Sequence, residues 1–185
     1  MSIVLKIRRF VEKECKKPSS KYGDGPLEFH FVPMVKHAKL LAKKPGADIE
    51  VVEIAAWLHD IGSIKYGRAD HHITSAKIAE KLLQKYKYPN EKIKLVKKCI
   101  LNHRGSINNK KESIEEKIIA DADAVSNFDM IPGLFQAAYR YEGLSQGEGK
   151  ISVREKLQRK YKKLCFKESK DSVKEKYKAA MLLLR

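Results

Sequence analysis

The stretch Ala55-Ala56-Trp57-Leu58-His59-Asp60-Ile61-Gly62 decides how this chain is read. It starts as an apolar helix and ends in an imidazole, a carboxylate and a glycine. Ile54, Ala55 and Leu58 fall on one stripe at helical spacing. His59 and Asp60 arrive together where the apolar run stops. Gly62 reads as a helix terminator, because glycine tolerates left-handed backbone. A histidine and an acid at a helix end can aim a nitrogen and an oxygen at one point, and a divalent cation accepts that mixed pair.

A His-Asp pair alone says little, since most such pairs are surface residues. Other ligand-type residues add to it. His30 and His37 lie in the amphipathic run from His30 to Leu41, and Asp123 lies in Ile118-Ile119-Ala120-Asp121-Ala122-Asp123-Ala124-Val125. Three predicted helices thus each bring a ligand-type residue into an apolar segment. A buried carboxylate without a partner is too costly to keep. One shared metal ion would satisfy the whole set.

An early histidine, His59-Asp60 followed by Ile61-Gly62, and Asp123 in Ala122-Asp123-Ala124-Val125 resemble the metal-dependent HD domain superfamily over about residues 28 to 130. The family's first histidine precedes a hydrophobic residue by four and an alanine by eight. Met34 and Ala38 give that pattern to His30; His37 has Leu41 and Pro45 instead. The resemblance implies a metal held by His30, His59, Asp60 and Asp123. Relatives with extra ligands place a histidine four residues before a small residue. Ser75 selects His71 for this, with His72 behind it. Some two-metal relatives carry a His-His pair where this chain has His103-Arg104. His71 and His103 are therefore expected to face the same cavity and to hold a weaker second ion or touch substrate. The fixed charge of Arg104 opposes a second cation nearby.

The family's members are mostly phosphohydrolases of nucleotides and other phosphate esters or anhydrides. The expected activity is hydrolysis by a metal-activated water. Ligand type does not choose among Mn, Fe, Co, Ni, Mg and Zn. Asp60 would ligate the metal and orient the water. Lys65, Arg68 and Arg104 would bind phosphate charge, with His71 beside them. Lys65 enters as a catalytic residue because many relatives have lysine directly after the His-Asp-Ile-Gly run, where this chain has Ser63. Two further readings stand beside this one. The first is a di-iron oxygenase-like protein, and the second a non-catalytic nucleotide- or RNA-binding module with a structural metal.

Composition sets the frame. The chain has 185 residues, 43% of them hydrophobic, enough for one domain with a core. No run approaches the ~20 apolar residues that span a bilayer. The N-terminus lacks a signal-peptide pattern. Cys15, Cys99 and Cys165 are scattered and form no CxxC pair. Together these predict a cytoplasmic protein without a disulfide frame or cysteine zinc site. Lys plus Arg is 39 against 23 Asp plus Glu, a net +16. Such charge favours polyanions. It reads first as a lysine-rich solvated surface, with nucleic acid as a possible but less favoured partner.

Along the chain, residues 3 to 16 predict a helix with Ile3, Ile7, Phe10 and Val11 inward, followed by a linker to 26. A second helix starts near His30, since Pro33 is tolerated only in a first turn. Asp48 can cap the next helix, which runs to His59. Residues 62 to 70 and Ser106 to Lys111 read as polar loops. Ser113 and Glu116 form a capping box. Gly143, Gly147 and Gly149 predict a flexible loop. From residue 150 on, two stripes appear, Val153-Leu157-Tyr161-Leu164 and Val173-Tyr177-Met181-Leu184. This tail carries 13 Lys/Arg against 4 Asp/Glu and is expected to cover the core with its lysines in water. The expected fold is all-α and single-domain. It divides into an N-terminal helix and linker (1–26), an HD domain (27–145) and basic C-terminal helices packed on it (146–185).

Overall fold

The computed structural model describes residues 1–104 and 110–185; the polar loop expected at Ser106 to Lys111 lies, over 106–109, outside the described residues. The elements are α1 (Ile3–Cys15), a π-helical turn (Leu27–Phe31) running into α2 (Val32–Leu41), α3 (Ile49–Leu58) and α4 (Ile61–Tyr66). They continue with α5 (His71–Lys85), α6 (Asn90–Asn102), α7 (Ile114–Asp129) and α8 (Ile131–Gln136) with a second π-helical turn (Ala137–Tyr141). The chain ends in α9 (Gln146–Lys162) and α10 (Lys167–Leu183). Among the described residues there is no strand. The fold is the all-α bundle that the sequence predicts.

The core is organised around α3 and α7. Val51, Val52, Ile54, Ala55, Ala56, Trp57 and Leu58 of α3 are all buried, which leaves that helix almost no polar face. It packs on α1, α2, α6 and α7. Asp48 caps it by accepting from the Val51 amide at 3.1 Å. In α7 every residue from Ile118 to Phe128 is buried, Asp121 and Asp123 included. Ser113 and Glu116 form the reciprocal capping box at its start. Both central helices thus deliver an acidic or histidine side chain deep into the interior.

A second, smaller cluster joins α7 to the C-terminal pair. Val125 and Phe128 meet Val153 and Leu157 of α9 and Val173, Ala180 and Leu184 beyond them. Tyr161 and Tyr177 stack with ring centroids 4.0 Å apart. Asp121 ties the hairpin down: its carboxylate accepts from the backbone N–H groups of Cys165 (2.7 Å) and Phe166 (2.9 Å), at the start of α10. Burial raises the Asp121 carboxyl despite those two bonds.

Three expectations about elements are corrected. Residues 61–66 are helical rather than loop, because Ile61 and Ile64 are buried there and hold a short turn against α5. Gly62 lies inside that helix and does not end one. A Cβ at Gly62 would stand 2.7 Å from the His71 carbonyl and 2.8 Å from the Ser75 amide, so glycine serves close approach of α4 to α5. Gly147 and Gly149 belong to α9, which starts earlier than predicted because Ser145 and Glu148 form a second capping box.

Candidate metal centre and its cavity

Asp60 sits between α3 and α4, and four imidazoles surround it. Its two carboxylate oxygens face different pairs. Oδ2 lies 3.4 Å from His30 Nε2 and 3.7 Å from His59 Nε2. Oδ1 lies 3.2 Å from His71 Nε2 and 3.4 Å from His103 Nε2. Asp123 completes the first side, with Oδ1 3.7 Å from His30 Nε2. The His30 and His59 Nε2 atoms are 2.9 Å apart.

The chain sets which nitrogen each ring presents. A carbonyl can only accept, so the ring nitrogen against it must carry the proton. Nδ1–H of His59 donates to the Ala56 carbonyl at 2.8 Å, that of His71 to Arg68 at 2.9 Å, and that of His103 to Ile100 at 2.6 Å. Each ring reaches back three residues to its own backbone. In the neutral form all three then turn an unprotonated Nε2 toward Asp60. Such outer bonds fix the tautomer of metal-binding histidines.

Electrostatics favour neutral rings around ionised acids. Burial lowers His59 to about 3. Burial also lowers His71, against the pull of Asp60. For Asp60 burial acts upward, yet His59 and His71 hold the carboxyl well below its usual range. Asp123 is also held low, against burial, chiefly by Lys160 and then His30. The buried Asp60 Oδ1 has no hydrogen-bond partner among the described residues. An orphaned carboxylate oxygen beside two imidazole nitrogens fits a cation. His30, His59 and Asp123 form one group able to hold an ion, and His59, Asp60 and His103 a second.

His30, Asp60, His71, His103 and Asp123 line a cavity of about 420 Å³, with His59 buried behind them. Tyr22, Phe29 and Tyr141 line it too, with the Tyr22 and Tyr141 rings 5.5 Å apart. α9 contributes Lys156, Arg159 and Lys160. Lys160 forms an ion pair with Asp123 Oδ2.

His30, His59, Asp60, Asp123, His71 and His103 therefore come together. Arg68 and Arg104 reach the cavity, although the Arg68 guanidinium is already on Glu142 at 2.8 and 3.0 Å. Lys65 does not reach it. Its ammonium lies 2.7 Å from Glu14 of α1, whose other oxygen takes Lys17 at 2.5 Å. Folding residues 61–66 into a helix turns Lys65 outward and leaves Ser63 and Ile64 on the cavity side. His37 is also elsewhere, 2.5 Å from Asp129. The lysines of α9 are the residues that sequence reasoning missed. The hairpin rests on α7 through the smaller apolar cluster, and not all of its charge faces water. Lys156 and Lys160 each stand three residues after a stripe residue, Val153 and Leu157, at the border of the buried face. That register was the available signal.

Residues 28–127 match the model of the HD domain family. The chain belongs to the HD domain family. Among solved structures it is similar to Bacillus subtilis YpgQ in complex with ADP, with TM-score 0.70, 20% identity and 98% and 94% of the two chains covered. It is also similar to an HD-superfamily hydrolase from Bacillus thuringiensis, with TM-score 0.67, 18% identity and 97% and 91% covered. At such identity these show the shared fold. A tRNA (cytidine(56)-2'-O)-methyltransferase of Picrophilus torridus is 27% identical over 170 residues, 84% of this chain and 47% of that protein. An uncharacterised protein of Clostridium beijerinckii is 37% identical over 79 residues, 40% and 50% of the two chains. The HD chain thus spans about half the length of the curated relatives it matches. No helix among its described residues is long and apolar enough to cross a membrane.

Proposed function

We propose that this HD domain protein is a metal-dependent phosphohydrolase acting on a nucleotide or related phosphate ester or anhydride. The observation that carries the reading is the position of Asp60, one oxygen toward His30 and His59 and the other toward His71 and His103. His30, His59, Asp60 and Asp123 would hold the principal divalent cation. Bound there, the cation would supply a hydroxide near neutral pH and neutralise phosphoryl charge. Asp60, at the cavity surface, would orient the attacking water. Arg104 and Arg68 would hold phosphate oxygens, and Arg104 is the freer of the two because Glu142 engages Arg68. His71 and His103 would stand within reach of substrate or of a weaker second ion. Tyr22, Phe29 and Tyr141 give the cavity an aromatic lining suited to a nucleobase. The similar protein from Bacillus subtilis was crystallised with ADP, which supports a nucleotide as the substrate class.

The test is metal analysis of the purified chain, followed by turnover of nucleotides and simple phosphoesters with that metal added. The expected result is one tight equivalent per chain and metal-dependent phosphate release. Two equally tight equivalents would overturn the one-metal preference. Failure to hydrolyse any phosphate substrate in the metal-loaded state would overturn the hydrolase and favour a nucleotide- or RNA-binding module. The two-sided placement of Asp60 supports one second reading, a di-iron centre with oxygenase chemistry. Two irons per chain with substrate-dependent oxygen consumption would establish that reading instead.

A further inference from the structure

Five cations border the cavity: Arg68, Arg104, and Lys156, Arg159 and Lys160 of α9. Arg68 is satisfied by Glu142, and Lys160 by Asp123. Arg159 has Glu155 at 3.7 Å. Lys156, half-buried one turn before Lys160, has no carboxylate within ion-pair distance among the described residues. A partly buried cation without a counter-charge is less favourable than one in water. Its surroundings make this worse, with the positive charges of Arg68 and Lys160 close by. Such a site is built for an anion that is not part of the chain.

We propose that Lys156 and Lys160 of α9 form the phosphate seat of the cavity, so that the C-terminal hairpin is part of the binding site. Lys160 holds Asp123 Oδ2 while Asp123 Oδ1 faces His30, and so it joins the seat to the metal ligands. Lys156 supplies the charge that no side chain answers. The spacing of one helical turn brings both ammonium groups to one side of α9. Two point charges on flexible stems suit a phosphate or pyrophosphate group better than a planar carboxylate. The assignment rests on the phosphohydrolase reading for its substrate class, but not for the seat itself, which requires only an anion.

A pH dependence follows. Burial, then the charges of Arg68 and Lys160, bring the Lys156 ammonium down to about 8, against the upward pull of Asp123 and Asp60. A bound anion favours the charged form and raises it. Above about pH 8 the free protein has lost that proton and must regain it on binding. Affinity for the anion therefore falls as pH rises through this range, and binding takes up protons.

The test is calorimetric titration of the full chain with inorganic pyrophosphate in the presence of saturating Mn²⁺, with Mn²⁺ affinity measured separately. Lys156→Met is expected to weaken pyrophosphate roughly ten- to hundredfold, the scale of a charge-assisted hydrogen bond, with Mn²⁺ affinity and helicity unchanged. Lys156→Arg should keep pyrophosphate binding but lose the fall in affinity with rising pH, since arginine stays protonated. In the wild type, binding enthalpy measured near that pH should vary with the ionisation enthalpy of the buffer. Wild-type affinity for pyrophosphate in Lys156→Met, or no pyrophosphate binding by the Mn²⁺-loaded wild type, would overturn the seat. Pyrophosphate binding through Lys156 without turnover of any phosphate substrate would overturn the hydrolase and leave the seat standing. Turnover with unaltered pyrophosphate binding in Lys156→Met would do the reverse.

Discussion

The cavity has two walls of opposite character. One is a histidine and aspartate cluster set on the π-helical turn before α2, the ends of α3 and α6, and on α5 and α7, elements that build the large apolar core. The other is the basic face of α9, which rests on the smaller cluster of Val125, Phe128, Val153, Leu157, Val173, Ala180 and Leu184. The first wall is rigid and locally determined, since three of its histidines are fixed by their own preceding turn. The second is held by long, flexible lysines, and its position depends on how the hairpin docks on α7. In chemical terms the first wall suits a cation and the second an anion. A phosphate ester bound next to a metal needs both.

The two walls were unequally legible in the sequence. His59, Asp60 and Asp123 stand out because ionisable residues in apolar helices have few explanations. His30 was located by the Met34 and Ala38 spacing, although its place in a π-helical turn was not foreseen; such turns often occur at functional sites. Lys156 and Lys160 were hidden by abundance, in a tail with 13 basic residues. Only their register beside Val153 and Leu157 separates them from solvated neighbours. Lys65 misled for the converse reason. It stood near the motif in sequence, but the helix at 61–66 rotates it toward Glu14.

The sharpest break between the walls should come from Asp60→Ala. Both imidazole pairs lose their common carboxylate. Metal content and phosphate release are expected to drop below detection, while helicity persists because the Asp60 side chain makes no capping hydrogen bond to α4. Metal analysis and circular dichroism on the same sample check this. Full activity in a metal-loaded Asp60→Ala protein would remove the first wall from the chemistry.

Leu157→Ala tests whether the walls are separate structural units. Leu157 is fully buried in the smaller cluster. Truncation of a buried leucine costs about 2–5 kcal/mol. Urea denaturation should show that loss, and pyrophosphate binding should weaken as α9 loosens. Mn²⁺ affinity should change less. Equal loss of both ligands would mean that the hairpin and the metal ligands form one cooperative unit.

Gly62→Ala addresses how tightly the first wall is set. The added methyl would meet Thr74 Oγ1 at 2.2 Å as well as the His71 carbonyl and the Ser75 amide. Thr74 can turn away, but the backbone atoms cannot without shifting α5. The expected cost is about 1–3 kcal/mol, as for other overpacked sites. Moving α5 carries His71 away from Asp60 Oδ1, so any weaker second ion should be lost before the first. Mn²⁺ titration of the variant would show this order. An unshifted melting temperature would mean that α4 and α5 are less closely packed than their backbone separation indicates.

Lys65→Met should have the smallest effect and sharpens the contrast with Lys156. Lys65 answers a carboxylate within the protein, whereas Lys156 answers none. Glu14 is buried, but Lys17 stays on its other oxygen when Lys65 is removed. With Lys17 still on that carboxylate and the Lys65 side chain itself partly exposed, the loss should be about 1 kcal/mol. Burial tends to raise the Glu14 carboxyl, while Lys17 and Lys65 together hold it below its ordinary value. Stability from this pairing is present near neutral pH and fades as the carboxylate protonates in acid. Lys65→Met should therefore lower stability slightly at pH 7 and still less at acid pH, with pyrophosphate affinity unchanged. A tenfold loss of pyrophosphate affinity in Lys65→Met would instead return Lys65 to the phosphate and mean that residues 61–66 unwind toward the cavity when ligand binds.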